Sequence, residues 1–169
     1  ISVAPEVLAC LAARHERPAM IAVARQRWEL LSQLVPTGDS LWLAIKGIRH
    51  PGSLGTVLRT CDAVGAEGVA LLGECVDPYD PSCVNASHGA VFSQRLVPTS
   101  FSELAAWAGG HGCRLIGTSP AANCDYREAS YRRPLVVVMG GQQGLSPGEL
   151  DLCDQAVRIP MLGRCESHH

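Results

Sequence analysis

Three stretches of the chain carry residue types that could hold or act on a ligand. In the first, His50-Pro51-Gly52-Ser53-Leu54-Gly55-Thr56-Val57-Leu58-Arg59-Thr60, a turn opens into a helix. Ser53 is placed to cap that helix, and Gly55 and Thr56 keep its first turn small. The free N–H groups of a helix start can receive an anion such as phosphate, and Arg59, two turns in, is placed to contact a phosphate or a sugar oxygen. The plain alternative is a capped helix with Arg59 on a solvated face, because glycine-rich turns are common. In the second, Met139-Gly140-Gly141-Gln142-Gln143-Gly144-Leu145-Ser146-Pro147, an apolar strand runs through a glycine-rich loop into a helix opened by Ser146. Glycines there let a ligand approach the backbone. The spacing is not that of a dinucleotide fingerprint, and an ordinary strand-to-helix loop is the alternative. The third, Val157-Arg158-Ile159-Pro160-Met161-Leu162-Gly163-Arg164, ends a strand at a proline and on its own is a plain turn.

The elements that must position these residues alternate along the chain. Residues 5–14 read as a helix, 19–24 as a short apolar strand and 26–34 as a helix, followed by a turn-rich linker over 35–40. Strands are then expected at 41–45, 68–72, 95–98, 114–117, 135–139 and 156–159, and helices at 54–64, 82–89, 101–108 and 146–153. Gly65 is placed as the residue that ends the first of these helices, and Gly109-Gly110 close the one before residue 114. Strands alternating with helices imply an α/β fold, a mostly parallel sheet flanked by helices. Leu-Val-Val-Val-Met at 135–139 is apolar throughout, as a central parallel strand should be. Ligands in such folds sit beyond the carboxyl ends of the strands. That rule directs attention to Gly117-Thr118, to Gly140 onward and to Pro160 onward.

Composition narrows the classes. With 169 residues, 47% of them apolar and 18% charged, the chain can build one domain with a real core. No apolar run is long enough for a transmembrane helix. Lys and Arg number 14 against 16 Asp and Glu, a balance that argues against a strong autonomous RNA-binding domain. The eight cysteines form no C-x-x-C pair and no Cys/His cluster with zinc spacing, so no metal is expected; they read as small buried hydrophobes in a reducing cytoplasm. His15, His88 and His111 read as surface or capping residues, and Trp28, Trp42 and Trp107 as core or interface. Arg127, Tyr131, Arg132 and Arg133 form a cluster that could touch RNA phosphates or simply be a solvated loop.

Taken together and in order, the three stretches resemble the SpoU-like (TrmH-type) branch of the SPOUT RNA methyltransferases. The resemblance rests on 50–65 (family pattern near N-P-G-N-x-G-x-x-x-R-T), 139–146 (near G-S-E-x-x-G-L-S) and 159–167 (near I-P-M-x-G-x-x-x-S-L-N), with 80–92 similar to the family's R-A-S-x-G-A segment. It spans about residues 41–167. His50 and Ser53 stand where the first pattern has asparagines, the second pattern lacks its glutamate and is one residue short, and Asn85 takes the place of an arginine.

The resemblance implies an α/β domain with a C-terminal trefoil knot, a homodimer, and S-adenosylmethionine-dependent methylation of ribose 2′-hydroxyls in tRNA or rRNA. It implies a cofactor pocket built from Thr118, Met139, Gly140, Gly141, Gly144, Leu145, Ile159, Pro160, Met161 and Ser167. It puts Arg59, with Ser53, at the catalytic position and Arg59, Asn85 and Arg133 toward RNA. Residues 1–38 are expected to be the tail of an N-terminal substrate-binding region and its linker. Residues 39–169 are expected to be the methyltransferase domain without its closing C-terminal helix, so that the knot is incomplete. The altered patterns also leave open a catalytically silent relative that binds RNA or dimerises.

Overall fold

Period-two patterning decides which side of the sheet each strand residue serves. The computed structural model describes residues 2–11, 20–141 and 144–161. Along β1 (Leu41–Lys46), Trp42 and Ala44 enter one core while Leu43 and Ile45 face the other; along β2 (Gly68–Leu72), Ala70 and Leu72 are set against Val69 and Leu71 in the same way. β3 (Arg95–Thr99), β4 (Arg114–Thr118), β5 (Cys124–Asp125), β6 (Leu135–Gly140) and β7 (Gln155–Arg158) complete a seven-stranded sheet in the order β3-β2-β1-β6-β4-β7-β5. Every pairing is parallel.

Helices cover the two faces unequally. On one face α5 (Phe101–Gly110) packs Phe101, Leu104, Trp107 and Ala108 over Trp42, Ala44, Ala70 and Val136. α6 (Pro147–Asp151) adds Leu150 to the same core. On the other face α2 (Pro51–Ala63) buries Leu54, Leu58 and Cys61 against Ile45, Val69 and Leu71, backed by α3 (Pro81–Ala86) and α4 (Ala90–Ser93). That second layer stops at β1. Over β6, β4 and β7 the same face carries a small core of Leu135, Ile116 and Val157, covered among the described residues by Cys124 and Ala129 of the stretch between β4 and β6.

The starting edge of the sheet is held by Glu67. Its carboxylate accepts from the Ser40 hydroxyl at 2.7 Å and from the Trp42 indole N–H at 3.2 Å. Ser40 is fully buried, so this acceptor is what lets its hydroxyl stay out of water.

The structure corrects four local expectations. Residues 26–34 are not a helix; only Leu31–Gln33 form a 3₁₀ turn. The edge strand β3 competes for this segment. The Glu29 N–H donates to the Leu96 carbonyl at 2.9 Å, the Glu29 carboxylate takes the Arg95 guanidinium at 2.6 Å, and Trp28 meets Tyr79 edge-on at 5.5 Å. A helix would withdraw all three contacts. Met20 to Ala24 form no strand. The helix expected over 82–89 runs Pro81–Ala86 and stops there, because His88 and Gly89 take left-handed backbone angles before a second short helix begins at Ala90. Gly109 and Gly110 lie inside α5, and the turn that ends it is made by Gly112 at φ +65°. The N-terminal helix α1 runs Pro5–Leu11, and the rest of its expected span lies outside the described residues. Gly65, at φ +70°, ends α2 as expected.

Candidate functional site

Strand order gathers the ligand-facing loops. β6, β4 and β7 are neighbours, so their carboxyl ends carry Gly140-Gly141, Thr118 and Ile159-Pro160-Met161 to one edge of the sheet. These residues are distant in sequence. They meet because β6 inserts between β1 and β4, and β7 inserts between β4 and β5. The Thr118 hydroxyl donates to the Val138 carbonyl at 3.2 Å, tying the ends of β4 and β6 together and leaving its lone pairs free to accept. Met139 and Ile159 are 36% and 37% exposed at this edge, apolar side chains left open beside polar backbone.

The glycines are needed by the loop itself. Gly144 sits at φ +66°, and its N–H donates to the Gly141 carbonyl at 2.8 Å. A side chain on Gly140 would strike Gly144, and one on Gly141 would come within 2.7 Å of the Lys46 carbonyl oxygen. Leu145 then dives into the core, 8% exposed, and packs over Gly117 beside Leu150 and Cys153. It anchors the loop from below.

Lys46 and Glu149 flank this loop. The Lys46 ammonium donates to both carboxylate oxygens of Glu149 at 2.7 Å. Glu149 also accepts from the Ser146 N–H at 2.7 Å and hydroxyl at 2.9 Å, so it caps α6. Burial pushes the Glu149 carboxyl up, but Lys46 and the Ser146 donors outweigh it and hold the group below its ordinary value. Between the loop and the ends of β1 and β2 lies a cleft of about 200 Å³, lined by Lys46, Gly47, Arg49, Leu72, Gly73, Glu74, Gly141 and Gly144.

The first motif is arranged differently from expectation. His50, not Ser53, occupies the cap position of α2, and its side chain makes no capping hydrogen bond; Pro51 opens the helix instead. Ser53 is exposed in the first turn. Gly55 faces inward, where a side chain would meet Ala86 at 2.7 Å and the Ser87 nitrogen at 2.9 Å, so its smallness serves the α2–α3 contact and not an anion. Arg59 is exposed two turns into α2, with no hydrogen bond or ion pair to any described residue, and it does not line the cleft.

The remaining candidates scatter. Asn85 is exposed on α3. Arg133 lies at the opposite, starting edge of the sheet, where its guanidinium donates to the Asp39 carbonyl at 3.0 Å. The structure therefore does not bring Arg133 to the strand ends. Arg127 is paired with Asp125 at 2.8 Å, and that guanidinium holds the Asp125 carboxyl down at about 2. Trp42 and Trp107 are core residues in edge-on contact, whereas Trp28 is 41% exposed. Ser167 lies outside the described residues. Among the described residues no three His, Cys, Asp or Glu side chains are grouped to hold a metal. The thiols of Cys61, Cys83 and Cys153 are each pushed up to about 11, chiefly by burial, so they are protonated at neutral pH and poor nucleophiles.

Sequence reasoning missed Lys46, Gly47, Arg49 and Glu149. Two signals were present: Lys46 is a lone charge closing an apolar strand, and Glu149 follows Ser146 by three residues, the spacing of a capping box.

The pattern of the SpoU rRNA Methylase family matches residues 40–168. The chain belongs to that family. As a SpoU-family chain it is 32% identical over 175 residues to the 23S rRNA (uridine(2479)-2′-O)-methyltransferase of Streptomyces viridochromogenes, an alignment covering 99% of the chain and 61% of that enzyme. Its sheet superimposes on the crystal structure of an RNA 2′-O ribose methyltransferase with a TM-score of 0.83 and 38% identity, over 97% of the chain and 64% of that protein. An AdoMet-bound rRNA methyltransferase from Sinorhizobium meliloti matches with a TM-score of 0.81 and 33% identity, over 85% of the chain and 56% of its own. The chain thus spans about three fifths of the length of the curated relatives it matches. The expected α/β class and the SpoU-like resemblance are both met.

Proposed function

We propose that the chain forms the S-adenosylmethionine-binding, catalytic domain of an RNA ribose 2′-O-methyltransferase acting on tRNA or rRNA. The observation that carries this reading is the convergence of Thr118, Gly140-Gly141 and Ile159-Met161 at the carboxyl ends of three adjacent parallel strands. The residues fit an adenosine. Met139 and Ile159 offer open apolar surface, and the glycine loop offers backbone donors and acceptors at close range. The Thr118 hydroxyl can accept from an amino group. Gly144, Leu145, Pro160, Met161 and Ser167 complete the pocket we assign, with Leu145 supporting it from the core.

The relatives named above methylate RNA, or hold AdoMet, by their own descriptions. When bound, S-adenosylmethionine supplies a methyl group already activated on a sulfonium. The chain's own residues then have to orient the ribose oxygen and let its proton leave. Arg59, whose side chain keeps its proton at any physiological pH, holds the ribose-phosphate by charge and hydrogen bonds and does not act as a base. Ser53, on the same helix, and Asn85, on the helix packed against it, extend that polar surface toward RNA. Arg133 reaches RNA only if the substrate also follows the opposite edge.

We further assign residues 1–38 to the tail of a substrate-binding region and its linker. The insertion of β7 between β4 and β5, both laid down before it, supports a trefoil knot at the C-terminal end. The half of the sheet face over β6, β4 and β7, which carries no helix among the described residues, supports a homodimer or a closing segment there. Seven free thiols among the described residues support a reducing cytoplasm.

Calorimetric titration with S-adenosylmethionine tests the central reading. Micromolar binding is expected, and a folded sample that takes up none at millimolar cofactor would refute it. A second reading, a catalytically silent RNA-binding or dimerisation module, is favoured by His50 at an uncapped helix start where the family pattern has asparagine. It predicts RNA binding without methyl transfer to bulk tRNA or rRNA.

A further inference from the structure

The end of β1 and the start of α6 lie 103 residues apart in the chain, yet one carboxylate joins them. Lys46 stands opposite Gly140 in the β1–β6 register, immediately before the glycine loop, and its carbonyl backs Gly141. Glu149 stands three residues into the structure that follows the loop. Their ion pair, at 2.7 Å to both oxygens, therefore joins the strand end that backs Gly141 to the helix that begins after Ser146.

Resting on the reading of this loop as the cofactor loop, we propose that Lys46 and Glu149 form a latch that holds the loop in the shape that receives S-adenosylmethionine, and that both are positioning residues for methyl transfer. Helix capping alone does not require the lysine. α5 carries the same box, Ser100 with Glu103, and Glu103 finds its additional partner in the hydroxyl of Thr99, with no cation. The Lys46 side chain is 37% exposed and lines the cleft, so the latch stands at the wall between cleft and loop. Glycine carries more backbone freedom to be lost than any other residue, and this loop places Gly140, Gly141 and Gly144 within five positions. An ion pair across its ends removes much of that freedom before the ligand arrives, and preorganisation of this kind appears as affinity.

The test uses four variants of the protein. Lys46→Met removes the cation; Glu149→Gln removes the charge but keeps a side chain able to cap α6; the double variant removes both; Lys46→Arg restores a bidentate partner. Each single variant is expected to raise the Kd for S-adenosylmethionine about tenfold, with KM for the cofactor rising more than kcat falls. The double variant should be no worse than either single one, and Lys46→Arg should approach the parent. Amide hydrogen exchange over 140–146 should quicken in Lys46→Met without ligand. Folded single variants that bind cofactor like the parent, with unchanged exchange, overturn the latch. A parent that binds no cofactor while Lys46→Met still quickens exchange overturns the cofactor reading and leaves the latch as a device that shapes the loop.

Discussion

Arg59 and Gly55 sit four residues apart on one helix and do opposite things. Gly55 is spent inward: α3 comes so close that any side chain meets the backbone of the next helix. Gly55→Ala should therefore cost about 1–3 kcal/mol of stability through overpacking, read as a lower midpoint in urea with unchanged slope. An alanine variant as stable as the parent would mean that α3 can retreat freely. Arg59 is spent outward and supports no described structure. Arg59→Ala should leave the unfolding midpoint within about 0.5 kcal/mol of the parent and keep cofactor binding, while methyl transfer drops by about a hundredfold or more. Unchanged turnover would remove Arg59 from the mechanism. The pair shows why a motif has to be divided residue by residue: its glycine is architecture and its arginine is free for chemistry.

Among the elements, the segment over 26–34 shows most plainly how a tertiary contact overrides local spacing. Its apolar spacing suits a helix, but Glu29 has a stronger use as partner to Arg95 on the edge strand. The Arg95 hydrogen bond, aided by Coulomb attraction, holds the Glu29 carboxyl below its ordinary 4.5. A depressed carboxyl adds stability above its unfolded value, and that stability is lost as pH falls through the folded one. The segment should thus loosen from β3 below about pH 4.5, ahead of global unfolding. Trp28 fluorescence should report it, with Trp28→Phe as the blank for the buried tryptophans. In Glu29→Gln the acid step should vanish; if it persists, another group holds the segment. The strands were readable because β2 and β6 are apolar runs bounded by turns, and α2 because Gly65 ends it. β5, two residues long, has no period to read. Nor does local sequence contain the neighbourhood of β6, β4 and β7. Three motifs could be seen at strand ends, but their adjacency depends on where late strands insert, a long-range property. For the same reason Lys46 and Glu149 went unread as a pair.

At the scale of the molecule, the proposed function requires a chain with 16 acids and 14 bases to meet an RNA. Among the described residues four cations are already committed to ion pairs: Arg27, Lys46, Arg95 and Arg127. Among the exposed arginines left in the described residues, Arg49 lies in the loop after β1, where the strands end, and Arg59 lies two turns into the helix that follows. Arg132 and Arg133 lie at the edge where strands begin. If RNA approaches the strand ends, the first two neutralise its phosphates and the second two do not. Each phosphate contact contributes about 0.9 to the slope of log affinity against log salt for duplex and about 0.7 for single strands. Arg49→Ala with Arg59→Ala should therefore flatten that slope by about 1.5 to 2, whatever other domains add, because the difference between variant and parent cancels their share. Arg132→Ala with Arg133→Ala should leave it unchanged. The reverse pattern would put the RNA on the starting edge, more than a strand's length from the glycine loop, and no ribose bound there could reach a methyl group held by Gly140 and Gly141.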